Sequence, residues 1–130
     1  MSEQSEALKE RTMVFAINVL RLIDKCPDTA GAKVIAYQLA KCSTSVGANY
    51  RAVCNARSRA EFIARLGIVV EEAEESVYWL EIVNRLGLVA GSEPQTLLQE
   101  SIELRAIFSR SAGTARLNAK RANANRLRSK

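Results

Sequence analysis

The sequence predicts an all-α protein, an antiparallel up-down-up-down four-helix bundle. Three observations lead there. Apolar residues recur at spacings of three and four along four separate segments, the period of a helix that buries one face. The breaks between the segments are short and carry Pro, Gly, Ser and Asp, residues that stop one helix and cap the next. No stretch alternates polar and apolar residues in the manner of a half-buried strand. Short connections make consecutive helices antiparallel neighbours.

The first helix is expected over residues 5–26. Leu8, Thr12, Phe15, Val19, Leu22 and Cys26 form one stripe, and Met13, Ile17 and Leu20 a second beside it. Pro27 and Asp28 break it, because proline lacks the amide that continuation needs. The second helix is expected over residues 30–56, with Ile35, Leu39, Cys42, Val46, Asn49 and Val53 in register. Its middle holds Ser43, Thr44, Ser45, Gly47 and Asn49, each costing roughly 0.5–1 kcal/mol relative to alanine. Close approach of another helix over these small residues is the expected compensation.

The third helix has the clearest start, a capping box of Ser58, Arg59, Ala60 and Glu61 in which the serine and the glutamate each satisfy a first-turn amide. Phe62, Leu66, Val69, Ala73, Leu80 and Val83 make its inner stripe, Ile63, Val70 and Val77 a second, and Gly87 its left-handed stop. The fourth begins at a second box, Ser92, Glu93, Pro94 and Gln95, and turns Leu97, Ser101, Leu104 and Phe108 inward, with Leu98 and Ile102 alongside. Gly113 is expected to end the ordered part. This divides the chain into a bundle, residues 1–112, and a flexible basic tail, residues 113–130. The second stripes exceed what a lone bundle must bury and are expected to form subunit contacts.

Composition narrows the function. Of 19 bases, seven lie from Arg110 onward without a single acid, leaving 12 bases against 14 acids in the rest. The net charge of +5 therefore belongs to the tail. The absence of histidine removes the common zinc sites, the di-iron helix motif and every Ser-His or Cys-His dyad. Three scattered cysteines, Cys26, Cys42 and Cys54, form neither a disulfide framework nor a metal knuckle, and are expected to serve as small hydrophobes. No apolar run reaches membrane-spanning length and the first residues are polar and acidic, so a cytoplasmic protein is expected. No catalytic residue, metal or cofactor is expected.

The best binding candidates are the tail bases Arg110, Arg116, Lys120, Arg121, Arg126, Arg128 and Lys130, which attract phosphate backbones; the plainer alternative is a solubilising tail. Arg51, Arg57 and Arg59, with Arg65, cluster about the second turn and suggest a cationic edge, against which stands simple pairing with Glu61. Glu71, Glu72, Glu74 and Glu75 read better as a solvated or ion-paired face than as metal ligands. Gln38, Ser43, Ser45, Asn49 and Trp79 could form a polar pocket, or more simply a hydrogen-bond network between helices.

Several of these residues fall in longer motifs. The segments Gln38-Leu39, Ser43-Thr44-Ser45-Val46-Gly47-Ala48-Asn49-Tyr50-Arg51-Ala52, Arg57-Ser58-Arg59-Ala60-Glu61-Phe62 and Glu71-Glu72-Ala73-Glu74-Glu75-Ser76-Val77-Tyr78-Trp79-Leu80 resemble the four-helix bundle protein family, also called the 23S ribosomal RNA intervening-sequence protein family. The likeness is strongest over residues 10–88. It implies a compact bundle that forms a ring-like homo-oligomer, with a pentamer as the family expectation. It also implies kinship with accessory proteins of diversity-generating retroelements, which bind nucleic acid and a reverse transcriptase. The family offers no catalytic residues to carry over; its motif positions here are Gln38, Ser43, Ser45, Asn49, Glu61, Glu72, Glu75 and Trp79. Many members continue the second-helix asparagine into Ala-Glu-Gly, whereas this chain reads Asn49-Tyr50-Arg51-Ala52-Val53, so a role for that glutamate does not transfer. The expected function is that of a non-catalytic, oligomeric bundle binding RNA or DNA, an accessory or scaffold. The alternative is a protein-partner adaptor without nucleic-acid binding.

Overall fold

A computed structural model describes residues 2–129. It contains four helices, α1 (Glu3–Ile23), α2 (Ala30–Cys54), α3 (Arg59–Leu86) and α4 (Glu93–Arg128), and no strand among the described residues. Each helix lies against its chain neighbours and α1 closes the ring against α4. Cross-helix contacts fix the antiparallel sense. Arg105 pairs with Glu74, and the Asn84 amide donates to the Pro94 carbonyl, so α3 and α4 run oppositely. Lys25 meets Glu93 while Arg11 meets Glu100, which does the same for α1 and α4.

The core follows the predicted stripes. Phe15, Val19 and Leu22 from α1, Leu39, Cys42 and Val46 from α2, Leu66, Val69, Leu80 and Val83 from α3, and Leu104 and Phe108 from α4 are all buried. Each large aliphatic or aromatic side chain so buried contributes about 1.5–3 kcal/mol. Tyr50 meets Phe108 across the diagonal with ring centroids 5.2 Å apart. The close approach expected over the small residues of α2 is present. A side chain on Gly47 would begin 2.9 Å from Thr12 Oγ1, and Thr12 is itself buried and bonded to the Leu8 and Lys9 carbonyls.

The helix ends hold several corrections. α1 stops at Ile23, three residues before Cys26; the amides of Lys25 and Cys26 bond the Leu22 and Ile23 carbonyls in a tightened turn, because the residue before a proline avoids the helical region. Ser58 accepts from the Glu61 amide as expected, but the Glu61 carboxylate reaches the Arg57 amide, one residue beyond the usual partner. Gly87 is the left-handed stop, at φ 62°. Ser92 makes no side-chain cap: it is already helical in φ and ψ, after Gly91 has turned the chain at φ 93°. Gly113 does not end α4, which continues to Arg128. An interior glycine costs only about 1 kcal/mol, and the Ala, Leu, Lys and Arg residues beyond it are good helix formers.

The second stripes fare unequally. Val77 and Leu98 are buried, and Val70 and Ile102 pack onto the core, so α3 and α4 leave less apolar surface than expected. On α1 the stripe stays open: Met13 is 41% exposed, and Ile17 and Leu20 are much the same. No described helix is long and apolar enough to cross a membrane.

Candidate nucleic-acid interface

The topology carries the C-terminal half of α4 to the end of the bundle where α2 turns into α3. There the last turns of α4 lie along the first turns of α3. Arg59 and Arg126 flank one shallow depression floored by Ala60, Ile63, Ala119 and Ala122, and Arg116 Nη2 comes within 3.9 Å of the point where a Gly67 side chain would begin. Alanine and glycine at these positions let a cationic helix lie close to α3. Residues 115, 119, 122 and 126, spaced four, three and four, face α3. Arg121 and Arg128, seven apart, share an outer face with Leu117. Lys120, Arg121, Arg126 and Arg128 are all exposed. Lys130 lies outside the described residues.

The second-turn arginines divide. Arg65 holds Glu61 at 2.9 Å, and that guanidinium, with the Arg57 amide, keeps the Glu61 carboxyl below its ordinary range. Arg57 and Arg59 extend into solvent at the same end. Arg51 does not join them; it lines a groove between α1 and α2 beside Met13, Ile17 and Ala48. Arg110 lies in a third place, a groove between α1 and α4. Of the acids at this end, Glu3 and Glu6 stand in the first turn of α1 and Glu61 of α3 is held by Arg65, so the unpaired positive charge lies on the α3–α4 side.

The polar positions of α2 and α3 have mostly local roles. Ser43, Ser45 and Asn49 hydrogen-bond to the carbonyls of Ala40, Lys41 and Ser45 in their own helix, and Ser45 also bonds Glu72 across the α2–α3 seam. A serine or asparagine inside a helix can satisfy itself on the preceding turn. Gln38 is partly buried, and the Trp79 indole donates to Glu75 at 3.3 Å. Glu71, Glu72, Glu74 and Glu75 scatter around α3. Glu74 pairs with Arg105, while burial beside Glu75 raises the Glu72 carboxyl pKa against the opposing pull of Ser45 and Lys41 on α2. Among the described residues, no three acids or thiols gather as a metal site would require. Burial pushes the Cys42 thiol up to about 11 and, with Cys54 adjacent, Tyr50 up to about 12.

Sequence reasoning missed Phe62. Its spacing places it on the inner stripe of α3, yet it is 38% exposed, at the foot of the α1–α4 groove that also holds Arg110 and Asn118. No one-dimensional signal separates it from the inner stripe, because its exposure depends on how α1 and α4 line the groove across from it.

Comparison with known proteins gives a consistent result. The family model described as 23S rRNA-intervening sequence protein matches residues 5–110. A crystal structure of a protein of unknown function from the S23 ribosomal protein family of Bacteroides thetaiotaomicron is 30% identical, covering 77% of this chain and 93% of that one, with a TM-score of 0.70. No curated protein matches the chain significantly. The match stops at residue 110, so the basic half of α4 lies beyond the matched region.

Proposed function

The chain belongs to the 23S rRNA-intervening sequence protein family, and from that premise we propose that it is a non-catalytic bundle that binds RNA or DNA as an accessory or scaffold protein. The observation that carries this reading is the docking of the basic half of α4 on α3, which sets Arg116 and Arg126 on one flank with Arg59. Adjacent like charges repel one another, and a polyanion relieves that repulsion while releasing its own counterions. Arg57, Lys120, Arg121 and Arg128 extend the same surface.

The proposal includes self-assembly in the cytoplasm. The open stripe of Met13, Ile17 and Leu20 beside Ala48 is apolar surface of the kind that marks interfaces, and a ring of five copies is the arrangement the family resemblance implies. A ring would repeat the cationic end around an axis and multiply weak contacts.

The test is a salt titration of binding to generic RNA and DNA. Changing Arg116, Lys120, Arg121, Arg126 and Arg128 together to glutamine should lower the salt slope by roughly 0.7–0.9 for each phosphate contact removed, with the melting temperature nearly unchanged. An unaltered slope refutes the proposal. A protein partner captured after nuclease treatment, from material free of nucleic acid, would instead support the adaptor reading. Light scattering on the same preparation measures the subunit count.

A further inference from the structure

Resting on that nucleic-acid reading, we propose that the α1–α4 groove seats an unpaired base of a single-stranded nucleic acid, stacked on Phe62. Fold, charge and chemistry each contribute to the argument. The lower turns of α1 and α4 leave a groove of about 690 Å³, within the range that holds a small organic ligand. Its floor is apolar, with Leu8, Ile107 and the part-exposed ring of Phe62. At its edges stand Gln4 and Asn118, whose amides can both donate to and accept from a base edge.

Charge favours a nucleotide over a neutral apolar occupant. Arg110 lines the groove and makes no ion pair among the described residues. It leads into the exposed bases of α4. The acids of α1, Glu3, Glu6 and Glu10, lie one residue away from groove positions 4, 7 and 11, hence turned about 100° aside. Arg11 at the upper end is already engaged, bonding Glu100 through Nε at 2.8 Å and Nη2 at 2.7 Å, so it closes the groove and leaves Arg110 to meet phosphate. The α4 tail itself has no aromatic residue; the fold supplies one from α3. An aromatic ring beside a positively charged track is the combination by which single strands are held without sequence preference. A duplex, whose bases are already stacked and paired, cannot use it.

The experiment compares single-stranded and duplex oligonucleotides, in RNA and DNA forms, each single strand carrying 2-aminopurine, whose fluorescence falls on stacking. The parent protein should quench the probe and prefer single strands. Phe62→Leu should lose the quench and weaken single-strand binding about tenfold, leaving duplex binding and the thermal melt unchanged. Phe62→Trp, which restores a ring, should keep both quench and affinity. If Phe62→Leu binds and quenches as the parent does while neutralising the α4 bases abolishes binding, the groove inference is wrong and the broader reading stands. If neither RNA nor DNA binds in any form, both fall together.

Discussion

The two halves of α4 share one unbroken helix and are held for different reasons. From Glu93 to Ala112 the inward positions Leu97, Leu98, Ser101, Leu104, Phe108 and Ala112 are buried. From Gly113 to Arg128 no side chain is buried, and only Ala115 and Ala119 are even partly covered. The first half is therefore anchored by the core, the second by helix propensity and a shallow rest against α3. The difference teaches that the fold can spend a weakly anchored segment on concentrated charge. Five of the tail bases sit where repulsion costs the core nothing.

The largest effect should come from the anchored half. Phe108→Ala removes a buried ring and should destabilise the protein by about 3–5 kcal/mol, read as a lower midpoint in urea unfolding. Next is the close approach of α1 to α2 at Gly47. Gly47→Ala gains roughly 1 kcal/mol of helix propensity but drives a methyl against the buried, doubly bonded Thr12 hydroxyl. Overpacking of that kind costs about 1–3 kcal/mol, so the net change should be a loss of about 1 kcal/mol. Leu117→Ala, in the exposed half of α4, should alter stability by no more than about 0.5 kcal/mol. A loss comparable to Phe108→Ala at that position would erase the contrast between the halves.

The smallest effect concerns a charge near the α2–α3 seam. Burial favours the neutral form of Glu72, so its folded pKa lies above its unfolded value. Stability is then full below the unfolded pKa and declines as pH rises through the folded one. Glu72→Gln should melt slightly above the parent at pH 7, and the gap should close below about pH 4, as followed by thermal melts across that range.

Most of the architecture was legible in the residues because it depends on local rules. The 3.6 period fixed which faces of Phe15, Leu39, Leu66 and Leu104 turn inward, and Ser58 and Gly87 are caps whose chemistry is local. Gly113 misled because a glycine stops a helix only when the following chain turns away, and here that chain remains favourable to helix and rests on α3. The site was half legible. Charge density in the tail is a one-dimensional property, but which of those bases meet Arg59 depends on antiparallel register. Phe62 was unreadable for the same reason, since its exposure depends on how α1 and α4 are placed to line the groove beside it.

The packing boundary near Ala112 also predicts a boundary in time. Amides whose helix turns are sealed by the core exchange with solvent deuterium only when the whole molecule opens, whereas those in unsealed turns exchange through local fraying. Within α4, protection should therefore fall steeply between Ala112 and the turns that follow, although one helix runs unbroken through the place. A bound polyanion would be registered there first, as slowed exchange in the outer turns alone.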